Sequence, residues 1–251
     1  ESEFLLNADY VISLTQNAKN EMLSWDEIKG KNIPIEVIPC CVDLDLFSRD
    51  TVKVSEQEQL KKELTISSSD FVISYLGSIG TWYMLDEMLD FFKVLYTQKP
   101  NSKFLFITNS AEKEIVSKAE AKQIPRETII IRAVARTKVP LYLSLSNVSI
   151  YFIKPAYSKK ASSPTKTGEI LAMGIPIITN SGIGDSDAML LNSGAGLIIN
   201  NFTSEDYNST IKEIDVILKI NKTKIRATAE HYFSLEKGVE KYAAVYKKLT
   251  N

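Results

Sequence analysis

The stretch Ser162-Ser-Pro-Thr-Lys-Thr-Gly-Glu-Ile-Leu-Ala-Met-Gly-Ile-Pro-Ile-Ile-Thr-Asn180 reads as loop, short helix, tight turn and buried strand. Ser163 is a good N-cap, and Pro164 suits the first helical position, where its missing N–H has no partner to lose. Gly174 can take the left-handed conformation that ends a helix, and Ile175 to Ile178 then runs as an apolar strand. Lys166 and Glu169 are three residues apart, so they share one helix face near the positive end of the dipole. A cation, free backbone N–H groups and a carboxylate one turn deeper suit a ligand with both phosphate and hydroxyl groups. The same residues also describe an ordinary capped helix with a surface Lys–Glu pair. The stretch alone leaves both readings open.

Working outward, apolar strands and helices alternate. Strands are expected at 8–14, 35–38, 71–76, 103–108, 128–132, 148–153, 175–179 and 196–200. Helices are expected at 15–28, 56–65, 111–123, 138–146, 164–173, 184–192, 204–219, 222–232 and 235–249. One more carries Leu85, Met88, Leu89, Phe92 and Leu95 at the i, i+3, i+4, i+7 spacing of an amphipathic helix. The strands are short, continuous and rich in Ile, Val and Phe, as parallel strands covered on both faces are. The expected class is therefore α/β, a doubly wound, Rossmann-like and mostly parallel sheet. The polar segment 48–57 is the linker candidate.

Composition narrows the function. With 251 residues, 44% of them hydrophobic, the chain can bury a sizeable core as one large domain or two smaller ones. Thirty basic and 31 acidic residues leave a net charge of −1, which argues against a general nucleic-acid partner. Cys40 and Cys41 are adjacent, so neither a disulfide framework nor CxxC metal spacing is available, and both are expected as buried thiols. His231 is the single histidine; it argues against a His-rich metal site or a Ser-His-Asp triad and is expected to be a partly buried structural residue. No metal site is expected. No apolar run reaches the roughly 18–20 residues needed to span a bilayer. The four Asn-x-Ser/Thr sequons are read as chance.

In open α/β sheets, ligands sit beyond the carboxyl ends of the strands. Three loops there stand out. Gly77-Ser-Ile-Gly-Thr-Trp-Tyr83 has glycines that would let backbone amides approach an anion, with Ser78 and Thr81 adding hydroxyls, although a tight strand-to-helix turn explains it too. It is neither GxGxxG nor GxxxxGK[ST]. Lys154, Lys159, Lys160 and Lys166 crowd the second loop, where solvated charge is the plainer account of at least Lys159 or Lys160. Asn180-Ser-Gly-Ile-Gly-Asp185 closes the rim, with Asp185 expected to cap the following helix. Neutral donors, cations and a carboxylate together suit a diphosphate joined to hydroxyl-bearing rings. A helix N-terminus contributes only about 0.3–1 kcal/mol to binding an anion, up to about 2 when partly buried. A direct lysine contact is therefore expected, and Lys166 is best placed to make it.

The 162–178 segment resembles the donor site of group 1 glycosyltransferases, a large retaining family with two facing Rossmann-like domains, the GT-B architecture. Ala8-Asp-Tyr-Val-Ile-Ser-Leu-Thr15 and Ile38-Pro-Cys-Cys-Val-Asp-Leu-Asp-Leu-Phe47 resemble the stretches before that family's interdomain linker. Val139-Pro-Leu-Tyr-Leu with Asn147-Val, and Phe233-Ser-Leu-Glu with Tyr242 and Tyr246, match later units in the same order. Two departures stand out. Ala161 occupies the position of the first of two glutamates often found eight apart, and the usual Arg/Lys pair after the first donor-domain strand is absent.

The resemblance implies that this is the C-terminal half of a GT-B fold. Residues 1–52 would be trailing strands of a missing N-terminal acceptor domain plus linker, 53–232 the donor domain, and 233–251 a crossover helix. It implies a nucleotide-diphosphate sugar as substrate, with no cofactor and no metal, and a glycan or lipid-linked acceptor in cell-surface polysaccharide synthesis. Lys166 would hold the diphosphate and Glu169 the ribose. Gly77, Ser78, Gly80, Thr81, Thr165 and Thr167 would add donors, and the backbone near Val134 would meet the base. The fragment alone is expected to bind donor weakly and to transfer nothing. It would be cytoplasmic, or peripheral at the inner membrane face through the missing domain. Two other functions fit the class: a nucleotide-sugar epimerase, which should offer cleft carboxylates and histidines, and a non-catalytic α/β nucleotide-binding module, which should bind no sugar nucleotide.

Overall fold

A computed structural model describes residues 1–109 and 112–250. The chain opens with α1 (Ser2–Asn7), β1 (Val11–Ser13), α2 (Gln16–Ser24) and β2 (Ile35–Val37). β1 and β2 pair in parallel as a separate two-stranded sheet. Next come α3 (Val54–Glu63), β3 (Phe71–Leu76), α4 (Leu85–Gln98), β4 (Ser102–Ile107), α5 (Glu112–Ala121), β5 (Ile129–Arg132), α6 (Val139–Leu143) and β6 (Val148–Ile150). Finally there are α7 (Thr165–Ala172), β7 (Ile177–Asn180), α8 (Ser186–Ser193), β8 (Gly196–Ile199), α9 (Ser204–Ile217), α10 (Lys222–Tyr232) and α11 (Leu235–Thr250).

Six of the strands form one all-parallel sheet in the order β5-β4-β3-β6-β7-β8. Numbered within the sheet, that is 3-2-1-4-5-6, the doubly wound order, which reverses between β3 and β6. Val72 to Leu76 and Phe104 to Ile107 are all buried, as two-sided coverage by helices requires. The doubly wound expectation holds.

The boundaries shift for physical reasons. The α1 helix was not expected, and residues 8–10 precede the strand instead of joining it. The expected strand 148–153 leaves the ladder after Ile150 because the chain turns to meet another loop: Ile153 bridges Tyr83, and Lys154 N donates to Trp82 O at 2.8 Å. The β7 strand starts at Ile177 instead of 175, since Gly174 is left-handed at φ +64° and Pro176 has no N–H to give a ladder. The expected helix start at residue 111 lies outside the described residues.

Segment 48–57 is no free linker. Ser48 is buried, Arg49 Nε donates to Met173 O at 2.8 Å, and α3 already begins at Val54. The α11 helix returns the chain to its start: Val42 bridges Ser234, and Lys241 pairs with Glu36 at 2.9 Å. Cys40 and Cys41 are half-buried, not buried. His231 is exposed, its ring edge-on to Tyr232.

Candidate functional site

Beyond the carboxyl ends of β3, β4 and β5, and walled by the start of α7 beside the point where the strand order reverses, lies a cavity of about 530 Å³. Its walls include Gly77, Ser78 and Tyr83 after β3, Val134 and Arg136 after β5, and Thr165, Lys166 and Glu169 from the first turns of α7. An open α/β sheet leaves its crevice in this position, because the loops on either side of the reversal run in opposite directions.

Helix α7 brings its cation and its carboxylate to the same side. Pro164, not Ser163, is its N-cap, and it makes no side-chain cap bond; Ser163 instead accepts a hydrogen bond from Cys40 N at 3.1 Å. The helix end is therefore left open toward the cavity. Thr165 and Lys166 N–H find no backbone partner among the described residues, as first-turn amides do unless capped.

Lys166 is buried, and its ammonium nitrogen sits among rings. Nζ lies 3.6 Å from the Tyr83 ring centroid, 4.3 Å from Tyr75 and 5.8 Å from Tyr151. Its hydrogen-bond acceptor is the Tyr75 hydroxyl at 3.2 Å. Ring faces offer a cation about 0.5–2 kcal/mol, whereas taking an ammonium out of water costs several kcal/mol. Desolvation wins: burial pulls the Lys166 pKa down to about 7, with the Glu169 charge pushing back. Burial pushes Tyr75, Tyr83 and Tyr151 up, so all three remain neutral phenols near neutral pH. Gly77 makes room for the lysine. Its φ is +115°, and a Cβ there would stand 2.9 Å from Lys166 Nζ.

Glu169 is buried at the cavity wall, with Oε1 2.6 Å from Arg136 Nη1. The contact is an ion pair without hydrogen-bond alignment, since Oε1 has no hydrogen-bond partner among the described residues. Arg136 is itself largely exposed, and its guanidinium covers the Phe47 ring at 5.1 Å.

Several expected site residues fall elsewhere. Gly80 and Thr81 are exposed and do not line the cavity. Gly77 N–H is spent on Ile107 O at 3.0 Å, so it extends the sheet rather than waiting for an anion. Thr167 faces away: its hydroxyl bonds the Tyr151 hydroxyl at 2.7 Å, and its N–H bonds Pro164 O. Of the four lysines near the second loop, only Lys166 enters. Lys159 lies over the Trp82 ring at 3.7 Å, and Lys160 pairs with Glu21 at 2.7 Å. Ala161 ends an exposed 3-10 turn.

The third loop closes a different space. The Asp185 carboxylate accepts from Gln16 and Asn17 N–H at 2.7 and 2.9 Å, so it caps α2 and not its own helix. It lines a second cavity of about 460 Å³, bounded by Thr15, Pro39, Thr167, Met189 and Phe233. The cations there are engaged, Lys237 by Glu230 O and Lys241 by Val37 O and Glu36.

Arg136 and the tyrosine cage escaped sequence reasoning. A signal existed for the cage: Tyr75 and Tyr151 place phenols near the ends of the two apolar strands that flank the reversal. Arg136 offered none, because its partner is distant in sequence.

Residues 56–248 match the family model for "Glycosyl transferases group 1". The chain is 24% identical over 175 residues to alpha-monoglucosyldiacylglycerol synthase of Acholeplasma laidlawii, an overlap of 65% of this chain and 42% of that protein. Among solved structures, a Rickettsia africae glycosyltransferase superposes with TM-score 0.78 and 16% identity, covering 100% of this chain and 67% of that one. Anabaena HepE in complex with UDP-glucose gives TM-score 0.73 and 14% identity, covering 96% and 64%. At such identities the structures speak for the fold, which is that of GT-B glycosyltransferases. The chain thus spans about two fifths of the curated relative and under two thirds of the HepE chain. Matched across most of its length, the chain belongs to the group 1 glycosyl transferases.

Proposed function

We propose that the chain is the donor-binding portion of a retaining glycosyltransferase that moves a sugar from a nucleotide-diphosphate sugar to a glycan or lipid-linked acceptor. The observation that carries the reading is Lys166: a buried amine with no counterion in contact among the described residues, set beside an open helix N-terminus at the switch point of the sheet. HepE is described in complex with UDP-glucose, and the Acholeplasma relative is named for a glycolipid product, which supports this class of donor and acceptor.

Transfer develops positive charge on the sugar and negative charge on the departing diphosphate. Lys166 and the amides of Thr165 and Lys166 would meet that negative charge electrostatically, with no metal in the scheme. Glu169 would accept from the ribose hydroxyls through the oxygen that Arg136 leaves free, and the base would lie by Val134. Residues 1–52 would belong to the acceptor side, 53–232 to the donor domain and 233–251 to the crossover helix. Activation of the acceptor would fall to a further domain, so this chain alone would bind donor and transfer nothing. Cell-surface polysaccharide synthesis, in the cytoplasm or at the inner membrane face, is the setting we favour.

Calorimetric titration with UDP-, GDP- and ADP-linked sugars tests the reading. Saturable binding of one base class is expected. Failure to bind any of the three would leave a scaffold module instead.

A further inference from the structure

The Lys166 cage does more than place a cation. Glu169, the carboxylate on the same helix face, is committed to Arg136, and no carboxylate lies within ion-pair distance of Lys166 Nζ among the described residues. Tyr75, Tyr83 and Tyr151 face the amine from β3, from the loop after β3 and from the end of β6, and all three are neutral. On the fourth side the cavity is open to a ligand.

We propose that the cage, which offers Lys166 ring faces and one phenol but no carboxylate, holds it largely as a neutral amine while the cavity is empty, and that an entering diphosphate recruits one proton from solvent onto it. Tyr75 is then a positioning residue: its hydroxyl holds Nζ against Gly77 until the anion replaces it. Water or buffer gives a proton to the Nζ lone pair, and no bond of the ligand changes. A buried charge is costly alone and favoured beside an opposite charge, so charge and ligand arrive together. The Lys166 pKa near 7 places this exchange in the physiological range. The inference rests on the cavity being the donor site.

The sign follows from linkage. Below pH 7 the lysine already carries its proton and adds no pH dependence; above it, binding must supply the proton, and affinity falls as pH rises. The slope approaches tenfold per pH unit, the value for uptake of one proton.

The test is calorimetry with UDP in two buffers of different ionisation enthalpy, from pH 6 to pH 9. At pH 8 the terminal phosphate of UDP, with a second pKa of about 6, is already ionised and does not contribute. Expected is uptake close to one proton at pH 8, falling by about half as the pH drops to 7, and abolished at pH 8 in Lys166→Gln at higher UDP concentration. In Tyr75→Phe, which keeps the ring, the uptake midpoint should move to lower pH because the ammonium loses its acceptor. UDP binding without uptake at pH 8, or uptake that survives in Lys166→Gln, overturns the proposal. An unmoved midpoint in Tyr75→Phe removes Tyr75 as a positioning residue. Failure of UDP, GDP and ADP alike to bind overturns the donor reading itself, a separate outcome.

Discussion

Helix α7 is a wall shared by two cavities of similar size. Thr165, Lys166 and Glu169 face one, while Pro164 and Thr167 face the other. The first opens where the strand order reverses and holds a buried amine with no ion-pair partner among the described residues. The second lies along the seam where β1, β2 and the loops of 159–185 meet α10 and α11. Its wall is largely apolar, and its lysines and aspartate are spent on capping and pairing. Volume does not distinguish them; unsatisfied charge does. A polar group left without a partner in a buried site costs stability, and sites of function are where such costs persist.

The comparison can be broken on either side. Lys166 should give the largest effect. Lys166→Ala and Glu169→Ala should each lower turnover of the complete enzyme by at least about 10²-fold, the scale of losing one electrostatic donor. Lys166→Met should at the same time stabilise the empty protein at pH 7 by roughly 2–4 kcal/mol. The folded pKa near 7 lies below the ordinary lysine value of 10.5. The unfolded chain therefore binds more protons across that window, and wild-type stability rises with pH through it. Denaturant titrations should show the advantage of Lys166→Met shrinking between pH 7 and pH 10.

In the second cavity, Met189→Ala should cost about 2 kcal/mol of stability, as buried methionine truncations do, and leave sugar-nucleotide affinity unchanged. A matching loss of affinity would mean that this cavity is the donor site. Gly77→Ala comes next. Its positive φ and the crowding of Lys166 Nζ should cost about 1–2 kcal/mol and weaken donor binding about tenfold. Arg136→Ala should be mildest. An exposed partner contributes up to about 1 kcal/mol, so KM should rise by about fivefold or less, with kcat little changed.

What could be read from residue order was what local physics decides. Runs such as Phe71–Leu76 and 129–131 are short, apolar and rich in Ile, Val and Phe, as covered strands are, and their alternation with helices set the class. Lys166 and Glu169 were legible because helix spacing puts residues three apart on one face. Gly80 and Thr81 stand outside the cavity because a loop's composition does not tell which way it turns, and Thr167 because its place on α7 turns it toward Tyr151. Ser163 and Asp185 are capping residues by type, yet their bonds go to Cys40 and to α2, more than a hundred residues away. Arg136 and the tyrosine cage depend on contacts between segments, which spacing along the chain does not encode.

The most direct measurement is a crystal structure of the protein with a nucleotide-diphosphate sugar bound. The account predicts the diphosphate within hydrogen-bond distance of Lys166 Nζ and of the first-turn amides of α7, with the ribose on Glu169. A nucleotide seated instead between Thr15, Met189 and Phe233, with Lys166 still capped by Tyr75, would contradict it.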